Sequence, residues 1–522
     1  MEQFGHSFFA LLLHVLLFAL LFHVLIILAK LAATKKPRLP PGPWQLPVIG
    51  SLHHLLLRGA GAGGLPAHRA IRDLSQRHGP LMLLRICERV AVVVSSAESA
   101  REIFKGRHGA AFEQRPSSPG IDELSRHGVG VIFAPYGDHW RLLRRIVMAE
   151  LLGARRVEAF RRVREDEAAR LVASLLPQAL PGGGEPVVVD VGERLAEFIT
   201  GVSVRAIFGD MVPHRRAAFL AVVKRAAHLS SLFDLRDLFP SSRLVRVMVP
   251  RGKAERHRQE MFRVMDDILG HHEERRRAAA GDGDGDGEQD MVDVLLRVQK
   301  EAGMRGELAQ GVIRAVLNDL FGAAVDTATT TLQWAMAELM ANPRVLKKVQ
   351  LQIRQLMAGQ AIVHEEALRN LGYLKAIIKE TLRLHPPAAL VPRVCLEDCK
   401  IQGYDLPQGT IILTNVWAIS RDPKYWENPD MFIPERFEVD CALDYKGIDF
   451  EFTPFGTSRR ICPGINFANA NMEIALASLL YHFDWKLPIG VKPEKLDMTE
   501  VFGVTVRRKA ELLLHPIPTF HI

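Results

Sequence analysis

The sequence predicts a mainly α-helical protein with small β-sheets, built as one large domain behind an N-terminal membrane anchor. Helical periodicity dominates the chain, with clear examples over residues 141–152, 155–176, 310–339, 343–357 and 465–481. Strand-like runs are short and lie at residues 81–85, 90–94, 411–415 and 510–514. Because no internal repeat or convincing linker divides the remaining chain, we expect a single domain over residues 48–522.

The composition excludes several classes of protein. The chain has 522 residues, of which 48% are hydrophobic and 24% charged, as in an ordinary folded protein. These fractions exclude a disordered chain, a collagen-like chain and a polytopic membrane protein. The 5 cysteines are too few for a disulfide scaffold. The net charge of +8 is too small to indicate nucleic-acid binding, but it suits an acidic protein partner or an anionic membrane surface.

The N-terminal segment has the character of a membrane anchor. Residues 8–29 are apolar and carry no formal charge, and about 20 such residues suffice to cross a bilayer. A secretory signal begins with basic residues, whereas this chain begins with Glu2 and places its positive charges after the apolar segment. We therefore expect an uncleaved, single-pass anchor over residues 1–30, in the endoplasmic reticulum, with the rest of the chain cytosolic. A basic, proline-rich hinge over residues 31–47 follows it.

One cysteine has surroundings that suit metal chemistry. Cys462 lies in the segment PFGTSRRICPG, directly before an apolar helical stretch. The charge of Arg460 and the amides of a helix start both favour a thiolate. Haem iron takes a thiolate as its axial ligand when an O–O bond must be cleaved. The alternative for Cys462 is a buried structural thiol. Cys395 and Cys399 lack the further ligands that a zinc site needs.

A charged cluster is predicted upstream of this loop. Glu380 and Arg383 are three residues apart on one helix face, and the segment PERF supplies Arg436. A carboxylate that holds two arginines can be buried only if every charge is paired. An isolated E-x-x-R pair is usually a surface ion pair. The order E-x-x-R, then PERF, then the cysteine loop is much more specific.

With these motifs, the sequence resembles a microsomal cytochrome P450 of the large plant group, and the likeness runs nearly end to end. It also includes the LPPGPW hinge, the segment Trp140-Arg141-x-x-Arg144 and the Asp326-Thr327 helix. Several stretches look like grass enzymes of specialised metabolism, some of which oxidise terpenoids. The resemblance implies the P450 fold and a haem-thiolate monooxygenase that inserts one oxygen atom of O2 into a lipophilic small molecule.

The resemblance also implies roles for individual residues. Cys462 would be the axial iron ligand, and Phe455 would pack beside it and tune the thiolate. The structural triad that holds the cysteine loop would consist of Glu380, Arg383 and Arg436. Two carboxylates enter a protein interior only if cations meet them. The partners of the haem propionates would be Trp140, Arg144, Arg393 and Arg460.

Oxygen activation would fall on Asp326 and Thr327. A threonine hydroxyl can bend a helix and hold a water, and a carboxylate can pass protons from solvent. The chain departs from the family pattern at three positions, where Ala324 and Ser458 replace glycine and Ala328 replaces threonine or serine. A serine in a backbone conformation suited to glycine costs about 1 kcal/mol. These departures bear on turnover rate and coupling rather than on the class of reaction.

The implied substrate pocket is apolar and assembled from separate segments. Its predicted lining residues are Phe233, Phe321, Ala323, Leu390, Val391 and Phe502, each of which is by itself an ordinary core candidate. Together they indicate a lipophilic molecule that is held by shape. A terpenoid, such as a diterpenoid, leads as the substrate, and phenolics, amino-acid-derived oximes and xenobiotics are the alternatives.

The implied cofactor is haem b, with electrons from NADPH through a separate membrane-bound reductase. The sequence has no glycine-rich dinucleotide or flavin motif of its own. An acidic face of the reductase would dock near Cys462, where the candidate contacts are Arg141, Arg145, Lys347 and Arg459. Two rival functions are a haem-thiolate isomerase or dehydratase that acts on hydroperoxides without a reductase, and a haem carrier or gas sensor. The Asp326-Thr327 pair argues against both.

Overall fold

The computed structural model describes residues 37–59, 64–125, 129–179, 187–229, 235–249, 252–279, 290–301, 308–438 and 443–519. The predicted anchor, the first part of the hinge and Phe233 lie outside these ranges. Within them, no helix is both long enough and apolar enough to cross a membrane.

Helices dominate the described chain. The α-helices are α1 (Leu52–Gly59), α2 (Ala67–His78), α3 (Ala97–Lys105), α4 (Pro119–Ser125), α5 (Asp138–Ile146), α6 (Ala154–Ala159), α7 (Arg161–Ala179), α8 (Val191–Phe208), α9 (Pro213–Leu229), α10 (Leu235–Leu238), α11 (Arg243–Met248), α12 (Lys253–Ala279), α13 (Met291–Glu301), α14 (Gln310–Ala341), α15 (Pro343–Leu356), α16 (Glu365–Leu368), α17 (Gly372–Leu384), α18 (Val416–Ile419) and α19 (Ile465–His482). A π-helical turn, Val147–Leu151, extends α5.

The sheets are small, and their strands come from separate parts of the chain. The strands are β1 (Leu81–Ile86), β2 (Arg89–Val94), β3 (Val189–Asp190), β4 (Leu390–Val394), β5 (Cys399–Ile401), β6 (Tyr404–Leu406), β7 (Ile411–Asn415), β8 (Phe483–Lys486), β9 (Glu500–Val501), β10 (Arg507–Arg508) and β11 (Leu513–Pro518). The largest sheet has the order β1-β2-β7-β4, in which only the β2–β7 pair is parallel. The others are β3-β11-β8, β5-β6 and β9-β10.

The long helix α14 forms the centre of the domain. It packs on α8, α17 and α19, and its second half is buried on all sides. Such a helix is stable because apolar residues surround it, so no amphipathic face is needed. It ends at Asn342, whose side chain donates back to the carbonyl of Glu338 at 2.8 Å, and Pro343 then starts α15.

Most predicted elements are present, with two differences. The helix predicted over residues 155–176 is divided into α6 and α7 at Phe160, which leaves the helical conformation and is buried. The last strand starts at Leu513 instead of residue 510, and it contains Pro516 and Pro518. Prolines are tolerated there because β11 pairs with β3 through its first residues and with β8 only afterwards, so each residue has a partner strand on one side.

Candidate haem-binding site

The loop before α19 presents the Cys462 thiol through a set of backbone hydrogen bonds. The amide of Cys462 donates to the carbonyl of Phe455 at 2.9 Å, which closes the loop. Gly456 and Ser458 both have positive φ, of 76° and 63°. The amide of Gly464 donates to the thiol. The loop therefore holds one sulfur atom at the start of a buried helix, as a metal ligand requires.

Two effects oppose each other at the Cys462 thiol. Burial raises the pKa of the thiol, and the Gly464 amide and the charges of Arg144 and Arg115 offset this only in part. The nearby guanidinium charges and the helix-start amide thus favour the thiolate, whereas burial favours the neutral thiol. A bound metal ion supplies the positive charge that deprotonates such a thiol.

Four guanidinium groups, which we call the arginine cluster, are collected beside this loop. The cluster consists of Arg115, Arg144, Arg393 and Arg460. Burial is the main cause that lowers the pKa of each member, to about 9 for Arg393 and about 10 for Arg460. Members of the cluster also lower the pKa values of one another. A buried group of like charges is stable only when anions meet it, so the cluster fits the two carboxylates of haem.

Two details of the cluster support this fit. Arg115 Nε is buried and has no hydrogen-bond partner among the described residues. Two acids of the chain, Glu113 and Asp319, act on the cluster from within the protein. Among the described residues the four cations thus outnumber the acids that act on them, which leaves positive charge for the carboxylates of a cofactor. Sequence reasoning missed Arg115 because a single arginine in a loop has the pattern of a surface charge.

Three of the predicted propionate partners, Trp140, Arg144 and Arg460, donate many of their hydrogen bonds to the protein itself. The Trp140 indole N–H donates to the carbonyl of Val131 at 3.2 Å, so this residue contributes its ring rather than a free donor. The guanidinium of Arg460 stacks on that ring at 4.6 Å and donates to three backbone carbonyls. Arg144 donates to the carbonyl of Ile461 at 2.5 Å. Arg460 and Arg144 therefore fasten the cysteine loop to the preceding part of the chain.

The structure brings together the three residues of the predicted triad. Arg383 donates to both oxygens of Glu380, at 2.7 and 2.8 Å, and both side chains are fully buried. Arg436 approaches the same carboxylate at 3.4 Å, and the amide of Ile433 donates to it at 2.9 Å. The remaining donors of Arg383 reach the backbone carbonyls of Ser420, Pro429 and Met431. The charges of this triad are thus all paired, which makes the burial of the triad tolerable.

The two residues predicted for oxygen activation lie side by side in α14. The hydroxyl of Thr327 donates to the carbonyl of Ala323, one turn earlier, at 2.7 Å. Asp326 accepts a hydrogen bond from the hydroxyl of Thr505 at 2.5 Å, and Arg507 lies 3.9 Å from its other oxygen. The acid is only half-buried, so it has both a fixed position and access to solvent.

The predicted pocket residues divide into two groups. Ala323 is exposed, and Leu390, Val391 and Phe502 are half-buried, so all four have surface left for a ligand. Phe321 does not fit the prediction. It is 4% exposed and packs edge-on against Phe219, because the helical turn directs it towards the core rather than towards the side that Ala323 occupies.

Asp319, two residues before Phe321, is a site residue that the sequence did not indicate. Its carboxylate accepts a hydrogen bond from the amide of Ile132 at 2.9 Å and so ties the loop before α5 to α14. Burial raises the pKa of Asp319 to about 7, against the lowering effects of the Ile132 amide and Arg115. Gly130 allows this contact, because a Cβ at that position would lie 2.3 Å from the carboxylate.

A surface cleft reaches the cysteine loop from outside. Its volume is about 1390 Å³, and Cys462 and Pro463 lie in its wall. Its rim carries the basic residues Lys375, Lys379 and Lys446. The cysteine loop is therefore reachable from the surface through this cleft, whose lining also carries the acids Glu438 and Asp444.

Comparisons with known proteins agree with this arrangement. The cytochrome P450 family profile matches residues 40–514. Desmethyl-deoxy-podophyllotoxin synthase of Sinopodophyllum hexandrum is 44% identical over 518 residues, which cover 99% of this chain and 97% of that protein. Dolabradiene monooxygenase of Zea mays is 43% identical over 498 residues, covering 94% and 95%. Ent-cassadiene hydroxylase of Oryza sativa subsp. japonica is 44% identical over 501 residues, covering 94% and 95%.

A solved structure shows the same fold. A zebra fish cytochrome P450 with abiraterone superimposes with a TM-score of 0.71 at 23% identity, covering 88% of this chain and 100% of that one. The comparisons confirm the predicted family, the mainly helical fold with small sheets and the class of enzyme. With the cysteine loop, the arginine cluster and the paired Glu380, they show that the chain belongs to the cytochrome P450 family of haem monooxygenases.

Proposed function

We propose that the protein inserts one oxygen atom of O2 into a lipophilic terpenoid, such as a diterpenoid, with electrons that NADPH supplies through a reductase. The arginine cluster beside Cys462 carries the haem part of this proposal, because buried like charges beside a thiol suit an iron cofactor with two carboxylates, such as haem b. In it, Cys462 holds the iron, and Arg115, Arg144 and Arg393 meet the propionates. When bound, haem supplies the chemistry of oxygen activation.

The protein's own part in the reaction is to deliver protons and to hold the substrate. Asp326 is half-exposed and fixed by Thr505, so its carboxylate can take a proton from solvent and release it inside the protein. Thr327 lies next to it, and its hydroxyl can exchange the bond to Ala323 for one to a water. This pair favours a monooxygenase over an isomerase or dehydratase, which needs no such protons.

The substrate class is supported by the relatives and by the apolar side chains. Two relatives with at least 43% identity have names that denote oxidation of a diene, dolabradiene and ent-cassadiene. The half-buried and exposed pocket residues offer apolar surface and few polar groups for a substrate; they are Ala323, Leu390, Val391 and Phe502. A relative whose name denotes no diene, desmethyl-deoxy-podophyllotoxin synthase, is equally similar, so phenolic, amino-acid-derived and xenobiotic substrates stay the alternatives.

The electron partner is proposed to dock on the face around the cleft. Arg141, Arg145, Lys347 and Arg459 are all exposed. Attraction between these cations and an acidic reductase should weaken as salt is added.

Residues 1–30 are proposed to hold the enzyme in the endoplasmic reticulum membrane. Removal of these residues should move much of the protein into the soluble fraction, and an unchanged distribution would contradict the anchor.

The first experiment is the carbon monoxide difference spectrum of the dithionite-reduced, membrane-expressed protein. Thiolate ligation predicts a strongly red-shifted Soret band in the wild type and its loss in Cys462→Ser. Cys399→Ser is the matched control, because Cys399 is also a buried free thiol. If Cys462→Ser kept the wild-type band, the ligand assignment would be wrong.

The second experiment measures turnover with NADPH, a plant reductase and O2 on a panel of diterpenes, sesquiterpenes and phenolics. A product heavier by one oxygen atom, formed only with reductase, supports the proposal. Conversion of fatty-acid hydroperoxides without reductase would instead establish the isomerase or dehydratase alternative.

A further inference from the structure

The cysteine loop contains a strained serine at the position where the family pattern has glycine. Ser458 has a φ of 63°, in the left-handed region that favours glycine. Residues in this conformation persist only where surrounding contacts fix them. The contact that fixes Ser458 therefore indicates what the serine does.

That contact is a hydrogen bond to a buried acid far away in sequence. The hydroxyl of Ser458 donates to Glu113 Oε1 at 2.5 Å. Glu113 is 2% exposed. A buried carboxylate needs donors, and a hydrogen bond to a charged acceptor is stronger than one between neutral groups. A glycine at position 458 would remove this donor, and an alanine would remove the donor and keep the strain.

Glu113 also interacts with the arginine cluster, through its backbone carbonyl and through the negative charge of its carboxylate. Its carbonyl accepts a hydrogen bond from Arg460 Nε at 2.6 Å. Its carboxylate opposes the loss of charge at both Arg393 and Arg460, whose positive forms it stabilises. Glu113 is thus an internal counter-ion within the group of cations that would meet the haem propionates.

We infer that Ser458 is a positioning residue: its hydroxyl fixes Glu113, and the Glu113 carbonyl in turn holds Arg460, and with it the cysteine loop, in place for the haem. This inference rests on the proposed haem site. It has two consequences. Loss of the hydroxyl should loosen the cluster and speed the release of haem. Loss of the Glu113 charge should raise the reduction potential of the iron, because a nearby negative charge disfavours addition of an electron.

The test uses the purified full-length holoenzyme and two readouts besides turnover. Haem release is measured as transfer to excess apomyoglobin, and the midpoint potential is measured by spectroelectrochemistry. Ser458→Gly and Ser458→Ala should speed haem release by roughly tenfold, the factor expected for one lost charge-assisted hydrogen bond. Glu113→Gln keeps an oxygen as acceptor but removes the charge, so it should raise the potential.

A double variant tests whether Ser458 and Glu113 act together or whether each substitution only lowers the stability of the protein. Ser458→Gly combined with Glu113→Gln completes a double-mutant cycle. Because Ser458 acts through the Glu113 side chain, the double variant should release haem about as fast as Glu113→Gln alone, which is less than the sum of the two single effects. Thr457→Ala is the matched control, because the Thr457 hydroxyl donates to the Gly447 carbonyl at 2.8 Å in the same loop. Thr457→Ala should leave the potential unchanged.

The inference is overturned if the Ser458 and Glu113 variants release haem at the rate of Thr457→Ala with an unchanged potential. It is also overturned if the effects in the double variant are simply additive. A wild-type protein without a thiolate haem spectrum would instead overturn the proposed function. The two failures are therefore distinguishable.

Discussion

Asp319 gives a prediction whose sign and size both follow from the structure. Its pKa is about 7 in the folded protein and 3.8 in a solvated reference state, with burial as the main cause. Between these two values the folded chain binds a proton that the unfolded chain has released. The free energy of unfolding should therefore fall as pH rises from about 4 to about 7 and then level off.

The magnitude follows from this interval. At about 1.4 kcal/mol per pH unit, ionisation of Asp319 costs about 4 kcal/mol at most. Because the side chain is only half-buried by accessible surface, water screens part of this, and we expect a measured cost of about 2 kcal/mol. Asp319→Asn removes the charge but keeps an oxygen that can accept from Ile132. The variant should match the wild type near pH 4.5 and be the more stable protein at pH 8.

The assay is urea unfolding of the detergent-solubilised holoenzyme at half-unit steps from pH 4.5 to 8. Other titrating groups contribute equally to both proteins, so the difference between their unfolding free energies isolates Asp319. A difference that stays constant over this range would refute the reasoning, because it would mean that Asp319 is already ionised in the folded protein at pH 4.5.

Three further outcomes are expected. Glu380→Gln leaves buried Arg383 without its counter-charge, which costs about 3–5 kcal/mol, and an unfolding midpoint in urea equal to that of the wild type would contradict the pairing. Gly130→Ala places a Cβ 2.3 Å from the Asp319 carboxylate, so the contact to the loop should be lost and the thermal midpoint should fall. An unchanged midpoint would show that the loop shifts freely. Thr327→Ala should retain haem but divert NADPH electrons to peroxide, measured as peroxide formed per NADPH consumed, and unchanged coupling would contradict the proton role.

The parts of the site that could be predicted lie in sequence motifs that follow one another in a fixed order along the chain. Cys462 and Glu380 stand in motifs whose residue types have few alternative explanations. Arg115 and Asp319 could not be found in this way, since each is a single charge in an unremarkable context. Their role arises only when the fold places Arg115 in the arginine cluster and the carboxylate of Asp319 beside the loop before α5.

Other differences concern the direction of side chains. Phe321 and Ala323 are two residues apart on a helix and therefore face different sides, but the sequence does not say which side is the core. The hydrogen bond from the Trp140 indole N–H to the Val131 carbonyl likewise forms only in the folded loop. The strain at Ser458 was expected from the family pattern, whereas its partner Glu113 became visible only in three dimensions.

The ties between the cysteine loop and the first third of the chain affect the order of folding. Arg460 bonds to Glu113 across 347 residues, and Arg144 bonds to Ile461 across 317 residues. Contacts that close such long loops form late, because the chain entropy must be lost before the contacts can stabilise the fold. On the ribosome, the cysteine loop emerges long after Glu113 and Arg144. The arginines of the earlier segments therefore stay solvated until the loop has been made and docks, and the haem site is complete only then.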